Sequence, residues 1–324
     1  RKDTNNDEAQ FYRKVGAIDS KIPELGTFLR RRMTHGAHIL GMCAGNAPVF
    51  SETIDDSVQI IAVQLPNTVA WDASGFGKDM YILSALHYIF NRATAIAKAY
   101  KEKNSEVQEL PLIINFSYGW NAGRHDCESD LEIAIEQLLT QRKTLQPETA
   151  LIMPSGNFYD GKMHAQFAET DFKTKADENE EVSIGWKLIP DDRTCSYLEI
   201  WFPKDFDTSK YSVSVSSPTG QEPIIQGRLS IKPGNAKTIA GDPSQYIDLV
   251  NNGKVIGQLS ADQHNGDRWR AMLALIPTAY TRGEKRRAES GTWKIDIIRA
   301  QEADKLTKAQ LIDVWVQRDD DPAN

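Results

Sequence analysis

The first half of the chain alternates short apolar runs with stretches of helical periodicity. Val58–Leu65 is largely apolar and bounded by turn formers, the pattern of a strand buried on both faces. Between Asp79 and Glu102 the side chains of Leu83, Leu86, Phe90, Ala93, Ala97 and Tyr100 recur every three or four positions, which predicts a helix with one inward face. Leu112–Ser117 predicts a second strand, Ser129–Lys143 a second helix with Leu131, Ile135, Leu138 and Leu139 inward, and Ala150–Met153 a third strand. Strand, helix, strand, helix, strand implies an α/β domain over residues 1–170, a parallel sheet with flanking helices.

The pattern then changes to short alternating segments: Val182–Leu188, Tyr197–Phe202, Tyr211–Ser216, Ile224–Ile231, Tyr246–Leu249, Lys254–Leu259, Trp269–Ile276 and Thr292–Ile298. These predict an antiparallel β-sandwich over residues 171–305. The acidic stretch Asp171–Glu181 marks the boundary and reads as a mobile linker. Leu311–Val316, within 306–324, reads as a strand returning towards the first domain.

A chain of 324 residues holds two cores of this kind. Its 45 acidic against 38 basic side chains give a net charge of -7, so it offers no general basic field and no nucleic-acid partner is expected. The dense basic run Arg282–Arg287 reads as a solvated loop. Cys43, Cys127 and Cys195 are too scattered for a disulfide framework and read as free thiols. No apolar stretch approaches the roughly 18 to 20 residues that span a bilayer, so no membrane association and a soluble chain are expected. The sequence opens on Arg1 with no charged-then-apolar leader after it, and the compartment is not readable from such a start.

Three segments carry candidate chemistry. Thr34–Asn46 reads THGAHILGMCAGN, with His35 at a predicted helix N-terminus and Gly36 and Ala37 letting the backbone pack closely around the imidazole. Asn115–Gly119 (NFSYG) closes one strand with small residues that leave its edge free to pair with an extended peptide. Ser155-Gly156-Asn157 closes the next, and an amide at the C-terminal end of a parallel strand can donate to a developing oxyanion.

Taken in order, these blocks resemble the subtilisin-like serine peptidases. His35-Gly36-Ala37-His38 with Gly41 is similar to the family's His-Gly-Thr-His-x-x-Gly block, which implies that His35 is the general base. Ile114–Gly119 is similar to the strand bearing Ser-x-Gly, which implies that Ser117, Tyr118 and Gly119 line the substrate backbone, with Gly156 beside them. Ser155-Gly156-Asn157 resembles the Ala-Gly-Asn block, which implies that Asn157 is the oxyanion amide. The resemblance covers roughly residues 30 to 160. Trp186–Pro203 and Trp315–Asp320 resemble a bacterial branch with a β-domain inserted before the nucleophile. The implied fold is a subtilisin-like parallel sheet with flanking helices plus an inserted antiparallel β-sandwich, and the implied activity is serine-type endopeptidase, acting on a polypeptide substrate.

The chain departs from the family in two places. Neither Gly26-Thr27-Phe28 nor Gly291-Thr292-Trp293 places Ser third, as the nucleophile motif requires, and Ser155 belongs to the oxyanion block. Val15–Ser20 superficially resembles the strand that bears the orienting acid, making Asp19 the candidate, but Lys21 replaces the expected Gly and Asp19 lies only 16 residues before His35. The expectation is therefore a piece of a longer peptidase whose flanking segments carry the missing groups, the isolated chain being inactive.

Two other readings stand beside it: a pseudopeptidase that binds peptides, and a carbohydrate- or protein-binding module whose platforms are Trp186, Trp201, Trp269 and Trp293. The six histidines, His35, His38, His87, His125, His164 and His264, include no His-Glu-x-x-His, so no zinc site is expected. His125 and Asp126 follow the proposed substrate strand as a solvated turn, and His38 reads as a packed helix residue. No cofactor is implied, and structural calcium at Asp191-Asp192 or Asp319-Asp320-Asp321 is left open.

Overall fold

Two four-residue apolar segments make the only parallel pairing among the described residues. Leu112–Asn115 (β1) and Thr149–Ile152 (β2) align in register, Leu112 with Thr149 through Asn115 with Ile152. The computed structural model describes residues 35–44, 58–65, 78–104, 110–156, 159–218, 225–231, 237–238, 245–280 and 286–317.

The chain forms two compact units. The first holds 1–70, 77–119 and 133–155, and the second holds 71–76, 120–132 and 156–324. In the first, His35–Ala44 is a helix (α1) and Lys78–Lys103 a longer one (α2), whose inward face is Ile82, Leu86, Phe90 and Ala93. Asp130–Leu145 (α3) connects β1 to β2. Its start is a reciprocal capping box: Glu132 Oε2 accepts from the Ser129 hydroxyl at 2.6 Å and the Ser129 N–H at 3.1 Å, while the Glu132 N–H donates back to Ser129 Oγ. Near its other end, buried Arg142 donates to Thr94 of α2 at 2.7 Å and lies over the Phe90 ring. Burial lowers the pKa of this guanidinium. Its place in the last helical turn, where carbonyls gather, favours the charge.

Among the described residues the second unit contains twelve strands in two sheets: His164–Phe167 (β3), Lys173–Thr174 (β4), Glu180–Leu188 (β5), Ser196–Trp201 (β6), Tyr211–Ser216 (β7), Gln226–Ser230 (β8), Lys237–Thr238 (β9), Gln245–Asn251 (β10), Lys254–His264 (β11), Arg268–Leu275 (β12), Gly291–Arg299 (β13) and Ile312–Gln317 (β14). One sheet runs β3-β14-β6-β12-β11-β10-β9 and the other β4-β5-β13-β7-β8, with every pairing antiparallel. Strict alternation drives this assembly. In β12, Trp269, Ala271, Leu273 and Leu275 enter the common core with Leu198, Ile200, Val213, Ile295 and Val314, while Arg268 and Arg270 point the other way. Phe172 belongs to that core and Lys173–Thr174 pairs with Glu180–Glu181, so the acidic stretch is structured rather than a linker.

The structure corrects the expected fold class. The chain is predominantly antiparallel β, and its parallel sheet has two strands, so it is not an α/β protein with a subtilisin-like sheet. Val58–Leu65, expected as a strand buried on both faces, joins no ladder among the described residues and is mostly exposed. The outer face of β1 is open to solvent at Ile113, which is 70% exposed. An apolar run specifies a buried strand only where other layers cover both faces, and the described residues place no such cover here.

Candidate functional site

The parallel register of β1 and β2 sets two of the motif blocks side by side. Past the last ladder pair, the Phe116 N–H donates to the Ile152 carbonyl at 2.9 Å. Ser117–Gly119 therefore leaves β1 at the same end at which Met153–Ser155 leaves β2. Asn115 Nδ2 donates to Ser117 Oγ at 2.9 Å, and the Phe116 and Tyr118 rings meet edge to face with centroids 6.0 Å apart. A side chain at Gly119 would meet only Pro154, at 4.0 Å, so the glycine leaves open surface rather than relieving a clash. Among the described residues β1 pairs with β2 alone.

Gly156, in the middle of the Ser155-Gly156-Asn157 block, has a φ of +102°, a conformation that favours glycine. His35 is the first residue of α1. His38, expected to be packed, is exposed on that helix. Asp19 and Asn157 lie outside the described residues.

The loop Trp120–Glu128, which follows Gly119, is fixed on the outer face of the seven-stranded sheet. Gln317 Oε1 accepts the N–H groups of Asn121 at 3.1 Å and Ala122 at 2.8 Å, and Glu199 Oε2 accepts that of Gly123 at 2.9 Å. Arg124 is buried and pairs with Asp126, Glu128 and Asp267 at 3.0 to 3.1 Å. Arg268 donates to the Phe202 and Arg124 carbonyls and pairs with Asp126 and Asp313. Lys204 closes the cluster on Glu128 and Asp267.

These contacts control protonation. Burial pushes the Asp126 carboxyl up, but hydrogen bonds from Arg124 and Arg268 outweigh it and hold the group below the usual carboxylate range. Asp267 is lowered in the same way, burial being overcome by Arg124 and Lys204. The loop keeps three residues at positive φ: Gly123, His125 and Cys127. His125 was expected in a solvated turn. It is exposed, but its Nδ1–H donates to the Gly123 carbonyl at 2.8 Å and its ring stacks on Trp315 at 3.7 Å. His164 stacks on the same indole at 3.7 Å and bonds Asp313 at 3.0 Å.

Other candidates resolve differently. Trp186, Trp201, Trp269 and Trp293 are all buried, at most 7% exposed, so none is a ligand platform. Trp201 does face outward, yet Arg268 and Arg270 cover its ring and its Nε1–H donates to Glu199. Asp192 spends its carboxylate on the Thr194 N–H and hydroxyl, which makes it a turn-capping group. Asp319, Asp320 and Asp321 lie outside the described residues. Among the described residues no group of three or more His, Cys, Asp or Glu is disposed to hold a metal ion. No described helix is long and apolar enough to cross a membrane.

No family model matches the chain, and no curated protein matches it. The functional reading therefore rests on the motifs and on this geometry. Sequence reasoning missed Gln317, Glu199, Arg124 and Arg268 as anchors of the loop. Glu199 inside the apolar run SYLEIWF was the available signal, since a charge within a buried strand needs a dedicated partner.

Proposed function

We propose that the chain is the substrate-binding and general-base portion of a serine-type endopeptidase. The observation that carries the reading is the parallel register of β1 and β2, which brings the end of the Ser117–Gly119 block beside the start of the Ser155-Gly156-Asn157 block. It rests on that local arrangement and on the order of the three motifs, and needs no subtilisin-like architecture. A polypeptide substrate pairs in extended form along Ser117, Tyr118 and Gly119. His35 takes the proton of the attacking hydroxyl and returns it to the leaving amine. Asn157, with backbone N–H groups, holds the tetrahedral oxyanion. The sequence has no Gly-Thr-Ser, so the nucleophile comes from polypeptide outside Arg1–Asn324. Asp19 is the candidate for orienting the imidazole.

The missing nucleophile motif also favours a second reading, a peptide-binding protein that uses the same segment without hydrolysis. The protein made from its natural gene, assayed on unfolded casein, separates the two. Gly119→Val places a side chain where only Pro154 is near, so it leaves thermal stability unchanged while blocking approach of a peptide backbone. The expected result is hydrolysis by the wild type and at least a tenfold lower kcat/KM in Gly119→Val. Hydrolysis unaffected by Gly119→Val contradicts the site, and binding without hydrolysis moves the protein to the second reading.

A further inference from the structure

Two hairpin turns of the second unit present the same dipeptide with matching backbone φ. Asn252-Gly253 joins β10 to β11 with φ of +48° and +73°, and Asn265-Gly266 lies between β11 and β12 with φ of +51° and +74°. Both dipeptides are exposed, and positive φ at two successive turn positions accounts for Asn followed by Gly. Their side chains are restrained differently. Asn265 Nδ2 donates to the Glu128 carbonyl at 2.6 Å, and Gln263 Nε2 braces the same turn through the Gly266 carbonyl at 2.8 Å. Glu128 is itself anchored by Arg124 and Lys204 in the same unit. Among the described residues no hydrogen bond holds the Asn252 side chain.

The difference bears on reactivity. Glycine has no side chain to keep its amide nitrogen away from the carboxamide that precedes it. That nitrogen attacks Asn Cγ and closes a five-membered succinimide, while the carboxamide nitrogen leaves as ammonia with the glycine proton. Water then opens the ring to aspartate or isoaspartate, so the net reaction consumes one water and releases one ammonia. The attack needs the carboxamide to swing over its own backbone, and at Asn265 this motion first breaks the bond to Glu128. One hydrogen bond of this kind slows such a step by about tenfold.

We propose that Asn252 is a site of spontaneous deamidation and that Asn265 is protected from it by its bond to the Glu128 carbonyl. Modification at Asn252 adds a negative charge to an exposed hairpin tip and, as isoaspartate, one more backbone carbon to its two-residue loop. The same change at Asn265 would set a carboxylate against the Glu128 carbonyl and remove a donor that fastens the loop.

The test incubates the full 324-residue chain at pH 8 and 37 °C, folded and in guanidinium chloride. Trypsin cuts after Lys254 and Arg268, which puts the two turns on separate peptides whose conversion from amide to acid is followed by mass spectrometry. In the folded chain Asn252 is expected to convert at least about tenfold faster than Asn265, and in denaturant the two rates are expected to come within about threefold of each other, because the dipeptide is shared. Asn252→Ser is expected to abolish the fast event, which separates it from conversion at Asn251. Equal rates in the folded chain, faster conversion at Asn265, or a fast event that survives Asn252→Ser overturns the assignment of the site. A tenfold ratio that persists in denaturant overturns the protection assigned to Glu128.

Discussion

Arg268 donates from Nη1 to the backbone carbonyl of Arg124 at 2.7 Å, joining two arginines 144 positions apart. The same guanidinium serves the Phe202 carbonyl, Asp126 and Asp313, so one side chain ties the loop after β1 to β6 and β14. Arg268→Met leaves buried acceptors without donors and is expected to lower unfolding stability by about 3–5 kcal/mol. Arg268→Lys keeps the charge but loses the fork geometry and falls between the two. Urea unfolding orders the three proteins, and a loss below about 1 kcal/mol in Arg268→Met contradicts the network's role.

Acid should weaken the second unit. In Asp126, Asp267 and Asp262 burial raises the pKa, but hydrogen bonds from Arg124, His264 and their neighbours prevail; in Glu169 the bond from Arg299 leads directly. All four are therefore lowered on folding. Their stabilisation is complete above the ordinary carboxylate pKa of about 4 and is lost as the pH falls through the lower folded values. The urea midpoint is expected to decline steadily below about pH 4, and a midpoint that holds constant to pH 2 contradicts these assignments.

Glu289 shows the opposite sign. Burial pushes its carboxyl up, outweighing the opposing effects of Ser217 and Arg287, and Asn251 Nδ2 donates to its Oε1 only at 3.5 Å. A carboxyl raised on folding opposes stability at neutral pH; the penalty fades as the pH falls through its folded value and is gone below the ordinary unfolded value of about 4. Glu289→Gln removes the charge and adds a donor, with an expected gain of about 1 kcal/mol at pH 7 that shrinks at pH 4. Thermal unfolding at the two pH values measures it, and equal effects at both would refute the charge argument.

The tryptophans are expected to report stability rather than ligand contact. Trp293 is fully buried, pairs in register with Trp186, and donates from Nε1 to the Glu289 carbonyl at 2.8 Å. Trp293→Ala is expected to cost about 3–5 kcal/mol in denaturant unfolding. A loss under about 1 kcal/mol would mean that this part of the core is not packed as described.

The antiparallel part of the chain was far more legible than the parallel part. Alternation in Arg268–Leu275 and Gly291–Arg299 states both strand identity and inward face, because each strand has one buried side. In α2 the periodicity pointed to Leu83, whereas Ile82 is the more deeply buried neighbour. Val58–Leu65 misled because an uninterrupted apolar run carries no sign of how many layers cover it. The strand ends at Ser117 and Ser155 were visible because strand and turn patterns are local. Their support was not, since contacts such as Gln317 with Asn121 span 196 positions and leave no local pattern. The helix expected over Ser129–Lys143 forms as Asp130–Leu145, and the Ser129–Glu132 capping box marks its start.

The most direct test of the endopeptidase reading is the turnover of unfolded casein by the natural gene product, compared with its His35→Ala and Asn157→Ala variants. Loss of the oxyanion amide is expected to lower kcat by about a hundredfold to a thousandfold, and loss of the base by at least as much. Both variants should unfold at the wild-type temperature. Turnover unchanged in either variant would contradict the roles assigned to His35 and Asn157.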